Sequence, residues 1–390
     1  MNEKRLDEIV LAEGVNSRAT DIHIDPLLDG CSVRMRIDGR LRLWKNFNKE
    51  DGQRLLNQIK ADVGIDIGSV FYPVSVRRKL KFDDRVLDLR VSLVPCVSGA
   101  KLAIRLLDTA NVQQKLSTLG LGDDQSEQLE RWLSDLNGMF LITGPTGSGK
   151  TSTAYALLDE LVEEARHVVT IEDPVEYELD GINQIEVNLH HNLTFAKGVK
   201  TSLRMDPDCL MVGEIREPET ARQAINAAVM GHVMMATMHS RDAVSSITRL
   251  RNFGLEDHQI AAALGVVVNQ RLVGKLCPKC VHQRDATPLE VAFFESRSLQ
   301  LPKTISDAAG CDACDDTGIQ GRTGIFEVWN LNQADYQMIL TGADEESIRA
   351  KLANSPHKNL LDDALVKIEA GVISANEVMR VGLSLPWNNS

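Results

Sequence analysis

Aromatic residues are scarce in this chain of 390 residues: nine Phe, four Tyr and four Trp. Proteins that hold single strands of nucleic acid stack bases on such rings, so base stacking is not expected as its main activity. Net positive charge is missing too, because 43 Lys and Arg face 55 Asp and Glu, a balance of −12 at pH 7. A nucleic-acid-wrapping surface carries a basic footprint, and this total argues against one. No apolar run reaches the roughly 18 residues of a membrane-spanning helix. The opening Met1–Gly14 stretch alternates charged and apolar residues and lacks the apolar core of a secretory signal. The chain is therefore expected to be cytoplasmic, meeting a membrane only through partners. It shows no internal repeat and no low-complexity tract.

What is present reads as a globular protein, 43% hydrophobic and 25% charged, and long enough for two or three domains. Its cysteines number seven. Cys31, Cys96 and Cys209 stand among apolar neighbours and read as small buried residues. The other four form two pairs, Cys277-Pro-Lys-Cys280 and Cys311-Asp-Ala-Cys314. In a reducing compartment such pairs point to metal ahead of disulfides. Four thiolates would close a tetrahedral Zn²⁺ site, which pins a loop and does no chemistry. A redox-active pair and unliganded thiols are the alternatives.

The overall expectation is an α/β protein. Residues 1–108 read as a small mixed α/β domain, with alternating segments at 33–37, 87–93 and 102–106 that put one apolar and one arginine-rich face on a sheet. Around Asp38-Gly39, a three-residue turn pairing Ile37 with Leu41 and Met35 with Leu43 keeps the faces unmixed. It also crowds Arg34, Arg36 and Arg42 together, which calls for something negative nearby; a solvated face is the plainer reading. Residues 109–122 read as a linker, and a helix over 125–136 follows.

The central region, 123–275, alternates short apolar runs (139–143, 168–171, 210–212, 233–236) with amphipathic helices such as 151–165. That pattern is a parallel sheet covered on both faces. Residues 276–325 enclose the cysteine pairs, and 326–390 read as short helices, with Ser374 and Glu377 spaced as a capping box.

Gly144-Pro145-Thr146-Gly147-Ser148-Gly149-Lys150-Thr151 matches the complete phosphate-loop pattern GxxxxGK[ST]. It follows an apolar run and opens an apolar-periodic helix, the context the motif requires. Glycines let successive backbone N–H groups turn inward onto phosphate oxygens, and the helix N-terminus adds a favourable dipole. Lys150 is expected on the β- and γ-phosphates and the Thr151 hydroxyl on Mg²⁺, with Ser152 beside it. The other runs end at Glu172, Glu214 and His239, the carboxyl edge where ligands of open parallel sheets bind.

At these residues the chain resembles a known family. Thr170-Ile-Glu-Asp-Pro-Val-Glu176 is similar to the Asp box, Asp206 through Arg216 to the atypical Walker B segment, and Gly231-His232 through His239 to the His box of the type II secretion and type IV pilus assembly ATPases. Thr20-Asp-Ile-His23, Val33–Gly39, the four cysteines and Gly321-Arg-Thr-Gly324 extend the resemblance over nearly the whole chain. It departs from the family pattern at 73–77, Ala100, Lys200 and Ser240, and the resemblance implies a short form, expected to lack the leading docking domain of larger members.

The resemblance implies a RecA-like core, a zinc-binding insertion, a helical C-terminal tail and a homo-hexameric ATPase motor. Such a motor is cytoplasmic, peripheral to the inner membrane, and acts on a platform protein there. It implies ATP, Mg²⁺ and Zn²⁺, with Glu172 polarising the attacking water, Glu214 in the Mg²⁺ shell, His239 beside them, and Arg90 and Arg105 reaching the nucleotide. The cysteines favour an assembly motor over a pilus retraction motor; a RecA-type nucleic-acid motor is the more distant rival.

Overall fold

The computed structural model describes residues 5–68, 72–82, 85–108, 114–163 and 166–383. The chain divides into two compact units, Met1–Gln113 and Gln114–Ser390.

The first unit is one antiparallel sheet with helices α1 (Leu6–Asn16) and α2 (Lys49–Val63) on one face. Its strands are β1 (Ala19–Leu27), β2 (Gly30–Ile37), β3 (Arg40–Asn48), β4 (Val74–Phe82), β5 (Arg85–Cys96) and β6 (Gly99–Asp108), in the order β3-β2-β1-β6-β5-β4. Alternation buries Ile22, Ile24, Val33, Met35, Leu89, Val91, Leu93, Leu102 and Ile104 against the helices. The intervening polar residues take the other face, as the two-residue period requires.

The β2–β3 turn corrects the expected register. Asp38 (φ 47°) and Gly39 (φ 81°) both adopt left-handed backbone, the two-residue turn whose twist matches that of the strands it joins. Ile37 therefore pairs with Arg40, Met35 with Arg42 and Arg34 with Leu43. Arg42 leaves the Arg34–Arg36 face, while Leu41 and Leu43 join it and stay exposed. A bulge at Trp44 then restores the phase, bringing Phe47 opposite Cys31 in the core. Cys96 is a second correction: it lies exposed beside the β5–β6 turn, whereas Cys31 and Cys209 are buried.

In the second unit, residues 109–113 of the expected linker lie outside the described residues. Its remainder packs down, with Leu116 buried and the Leu119 carbonyl accepting from the Gly324 N–H at 2.9 Å. Helix α3 (Asp123–Asp135) leads into β7 (Met139–Thr143), α4 (Lys150–Glu163), β8 (Val168–Glu172), β9 (Ile182–Glu186) and α5 (Phe195–Ser202). The last two residues of the helix expected over 151–165, 164 and 165, lie outside the described residues. Next come β10 (Cys209–Val212), α6 (Pro218–Val229), β11 (Val233–Met238), α7 (Ser245–Asn252), α8 (Asp257–Ala263) and β12 (Leu264–Leu276). The sheet runs β15-β12-β7-β11-β10-β8-β9, parallel except for the last strand to join, β15 (Ile319–Asn330), antiparallel to β12. Every residue of β7, β8 and β10 is buried, as expected for strands covered on both faces. The chain leaves β7 toward β8 on one side and later adds β12 on the other, so β7 ends at the point where the winding reverses.

Between β12 and β15 lie β13 (Val281–Arg284), α9 (Pro288–Glu295) and β14 (Ile305–Ala308). Helices α10 (Gln333–Leu340), α11 (Glu345–Ala353), α12 (Leu360–Glu369) and α13 (Ala375–Val378) complete the unit. The boundary expected at 325/326 falls inside β15, because this segment pairs along the length of β12. Phe293, Phe294 and Ile305 of the insertion share one apolar cluster with Leu360, Ala364, Ile368 and Val378 of the C-terminal helices. Half of the expected capping box forms. Ser374 accepts from the Glu377 N–H, but the Glu377 carboxylate turns to the Gly274 N–H, 2.8 Å away.

Candidate active site

The phosphate loop joins the buried end of β7 to the start of α4. Gly144 takes φ 147°, and a Cβ there would stand 2.5 Å from the Gln270 carbonyl oxygen. Gly147 (φ 76°) has open space but a left-handed backbone, so conformation alone selects glycine. Pro145, Thr146 and Gly147 are exposed, Ser148 is buried, and Gly149, Lys150, Thr151 and Ser152 are half-buried at the helix start. The Lys150 ammonium lies within the loop, donating to the carbonyls of Gly144 (2.9 Å) and Pro145 (3.2 Å). Burial lowers its pKa to about 8; Glu214 opposes that fall, and Arg271 and Arg216 add to it.

Glu214 and His239 come from neighbouring strand ends, just beyond β10 and β11. His239 Nε2 is 2.7 Å from Glu214 Oε1, while Nδ1 lies 3.0 Å from the Gly144 carbonyl and 3.4 Å from Lys150 Nζ. With the proton on Nε2, His239 donates to Glu214, so the ring stands between that carboxylate and the Gly144 carbonyl and Lys150 ammonium of the loop. Arg216 Nε and Nη2 both reach Glu214 Oε2 at 2.7 Å, and its Nη1 lies 3.7 Å from Asp173.

Glu172, the last residue of β8, has different company. It is 3% exposed and accepts from Tyr155 Oη, from Thr170 Oγ1 at 2.6 Å and from Gln184 Nε2 at 3.2 Å. Burial raises its pKa, against the three donors. The two glutamates, alike in sequence as acids at strand ends, are thus distinguished by structure. One belongs to the Lys150–His239–Arg216 chain, the other to a buried cage.

Sequence reasoning passed over β12, which supplies three polar side chains behind the loop. Asn269 donates to Thr143 Oγ1 at 2.8 Å, Gln270 to the Ser148 carbonyl at 2.8 Å, and Arg271 to the Arg241 carbonyl at 2.6 Å. The signal was available, because Val266-Val-Val-Asn269-Gln-Arg271 repeats the pattern of an apolar run ending in polar residues. Tyr155 was hidden by its place on the apolar stripe of a helix.

Arg90 and Arg105 sit in the first unit, directly opposite each other on β5 and β6. They belong to a row across five strands: Arg36, Asp21, Arg105, Arg90 and Arg77 are successive register partners. The sheet itself supplies part of the negative charge that the arginine face requires. Asp21 lies 3.2 Å from Arg105 and 3.5 Å from Arg36, Asp25 pairs with Arg34 and Lys101, and Asp88 with Arg77.

The four paired cysteines converge. Their Sγ atoms all lie within 4.8 Å of one another, and three edges measure 3.8–3.9 Å. A tetrahedron of thiolates about Zn²⁺ has edges of about 3.8 Å, so the donor set and these three edges fit this metal. None of the four is disulfide-bonded. Backbone N–H groups of Cys311 and Gly318 point to Cys314 Sγ at 3.3 and 3.2 Å, the donors a thiolate ligand needs. Among the described residues no helix is long and apolar enough to cross a membrane.

The profile of the family described as Type II/IV secretion system protein matches residues 2–380. The Type II secretion system ATPase E of Vibrio cholerae is 37% identical over 378 residues, covering 97% of this chain and 75% of the relative. The Type II secretion system protein E of Aeromonas hydrophila is 36% identical over 377 residues, with the same coverage. Among solved structures, the Legionella pneumophila ATPase DotB superposes with a TM-score of 0.71 at 19% identity, covering 99% of this chain and 98% of DotB. That likeness speaks for the fold.

Proposed function

This chain belongs to the Type II/IV secretion system protein family, and on that premise we propose that it is a ring-forming motor ATPase driving assembly of a pseudopilus or pilus. It is an ATP hydrolase, and the reading that carries its chemistry rests on one observation. The Lys150 ammonium stands inside a glycine-turned loop and is joined through His239 to Glu214.

In this reading the loop N–H groups and Lys150 hold the phosphates of ATP. The Thr151 hydroxyl and Glu214 hold Mg²⁺, which when bound neutralises phosphate charge. Glu172 accepts a proton from the water that attacks the γ-phosphorus. The bond to the β-phosphate oxygen breaks, and ADP and inorganic phosphate leave. Arg90 and Arg105 add positive charge from the first unit, and His239 keeps Glu214 and Lys150 in register. Cys277, Cys280, Cys311 and Cys314 hold one structural Zn²⁺.

The relatives' names favour a type II secretion pseudopilus as the product, with a type IV pilus or DNA-uptake pseudopilus on the same chemistry. A homo-hexamer acting on an inner-membrane platform protein from the cytoplasmic side is the form proposed. Lys150→Ala is the test. It should abolish Mg²⁺-dependent phosphate release and leave thermal unfolding unchanged; hydrolysis at the wild-type rate would overturn the assignment.

A further inference from the structure

Glu172 is almost wholly buried, yet a proton acceptor must stay ionised. A buried carboxylate without donors takes up a proton, since desolvation penalises its charged form. Donors from three elements oppose this. Thr170, two residues earlier on β8, shares the face of Glu172 and is fully buried. Gln184, the register partner of Thr170 on β9, reaches Glu172 and also lies 3.3 Å from Tyr155 Oη and 3.1 Å from the Tyr177 carbonyl. Tyr155, 2% exposed, projects from α4 five residues after Lys150, and its ring is held edge-on against Tyr177 at 4.7 Å.

We propose that Tyr155 is a positioning residue: its phenol, with Thr170 and Gln184, fixes the Glu172 carboxylate in place and in its ionised form. The inference rests on the reading of Glu172 as the proton acceptor. Because Tyr155 and Lys150 share one helix, the phosphate loop and the carboxylate are held by the same rigid element.

The groups facing Glu172 give the sign. Tyr155 from α4, Gln184 from β9 and Thr170 from β8 itself donate and favour the anion; Glu176, from the segment after β8, repels it, and Tyr177 stands behind Tyr155. Removing one donor should raise the pKa of Glu172, so the acid limb of kcat should move to higher pH.

The experiment measures kcat and KM for Mg·ATP from pH 5.5 to 9 in the full chain, Tyr155→Phe, Thr170→Val, Glu172→Gln and the Tyr155→Phe/Glu172→Gln double variant. Tyr155→Phe and Thr170→Val should each shift the acid limb of kcat upward by about one unit, the scale of a hydrogen bond to a charged group. KM should stay within about twofold, because neither side chain is assigned to the nucleotide. Turnover should recover toward wild type at the alkaline end, and the double variant should be no slower than Glu172→Gln alone. If Glu172→Gln loses turnover but neither donor variant moves the limb, the positioning role is wrong. A uniform loss at every pH together with a lower melting temperature would likewise make the cage merely structural. If Glu172→Gln retains turnover, the reading of Glu172 as proton acceptor falls instead.

Discussion

Lys150 has its pKa at about 8, lowered chiefly by burial, and this yields a kinetic signature. Only the ammonium form can neutralise phosphate, and kcat/KM reports the free enzyme, where no nucleotide charge holds the proton on. The protonated fraction is about nine-tenths at pH 7 and one-tenth at pH 9, so kcat/KM should fall about tenfold across that interval. Bound phosphate adds negative charge beside Nζ, so the basic limb of kcat should lie at higher pH than that of kcat/KM. Glu214 is the neighbour whose negative charge props the ammonium up. Glu214→Gln removes that anion and should move the limb of kcat/KM below pH 8. Initial rates of phosphate release, measured at fixed ionic strength and saturating Mg²⁺, would resolve both shifts. A profile flat from pH 7 to 9.5, or a limb that moves upward in Glu214→Gln, would refute the electrostatic argument.

Glu214→Gln should also need more Mg²⁺ for half-maximal hydrolysis, which a Mg²⁺ titration at fixed ATP would read. Arg90→Ala and Arg105→Ala should each lower kcat about a hundredfold or more, the usual scale for losing a group that stabilises transition-state charge, with far-ultraviolet circular dichroism unchanged; unaltered kcat and KM in both would return that face to solvent. Protein purified without added metal should contain one zinc per chain, and Cys311→Ser should lose it and lower the melting temperature. Four freely titratable thiols with no zinc would exclude the site.

The zinc fit and the fold reinforce each other. The tetrad stands where β12 ends and just before β15 begins, so its closure fixes the ends of two strands that pair for most of their length. The aromatic residues of the insertion pack on α12 and α13. Losing the metal should therefore loosen the contacts between the insertion and the C-terminal helices, while the phosphate loop, which leaves β7 level with Asn269 of β12, keeps its own hydrogen bonds.

The phosphate loop, the buried parallel strands and the tetracysteine set were legible in the residues, because each is governed by local rules. A glycine-rich turn between an apolar run and an amphipathic helix has one common use, and continuous apolar runs can hide only in a sheet covered on both faces. Cysteine pairs two residues apart need nothing distant to announce a metal. The strand ends at Glu172, Glu214 and His239 were equally plain, and so was the family they indicate.

Other features depended on what lies far away in sequence. The β2–β3 register follows from the left-handed backbone of Asp38 and Gly39 and from a bulge that returns Phe47 to the core; pattern alone favoured the turn that kept the faces unmixed. The polar end of β12 gained its meaning when pairing with β7 placed Asn269 beside Thr143, 126 residues earlier. Nothing local marks Tyr155 as more than another large residue on a helix stripe. It became a partner of Glu172 only when α4 packed over β8 and buried both side chains. Burial and neighbourhood decide whether an acid is a ligand, a base or a cap, and both are properties of the folded chain: sequence placed two glutamates at one edge, and tertiary structure gave one to Lys150 and caged the other.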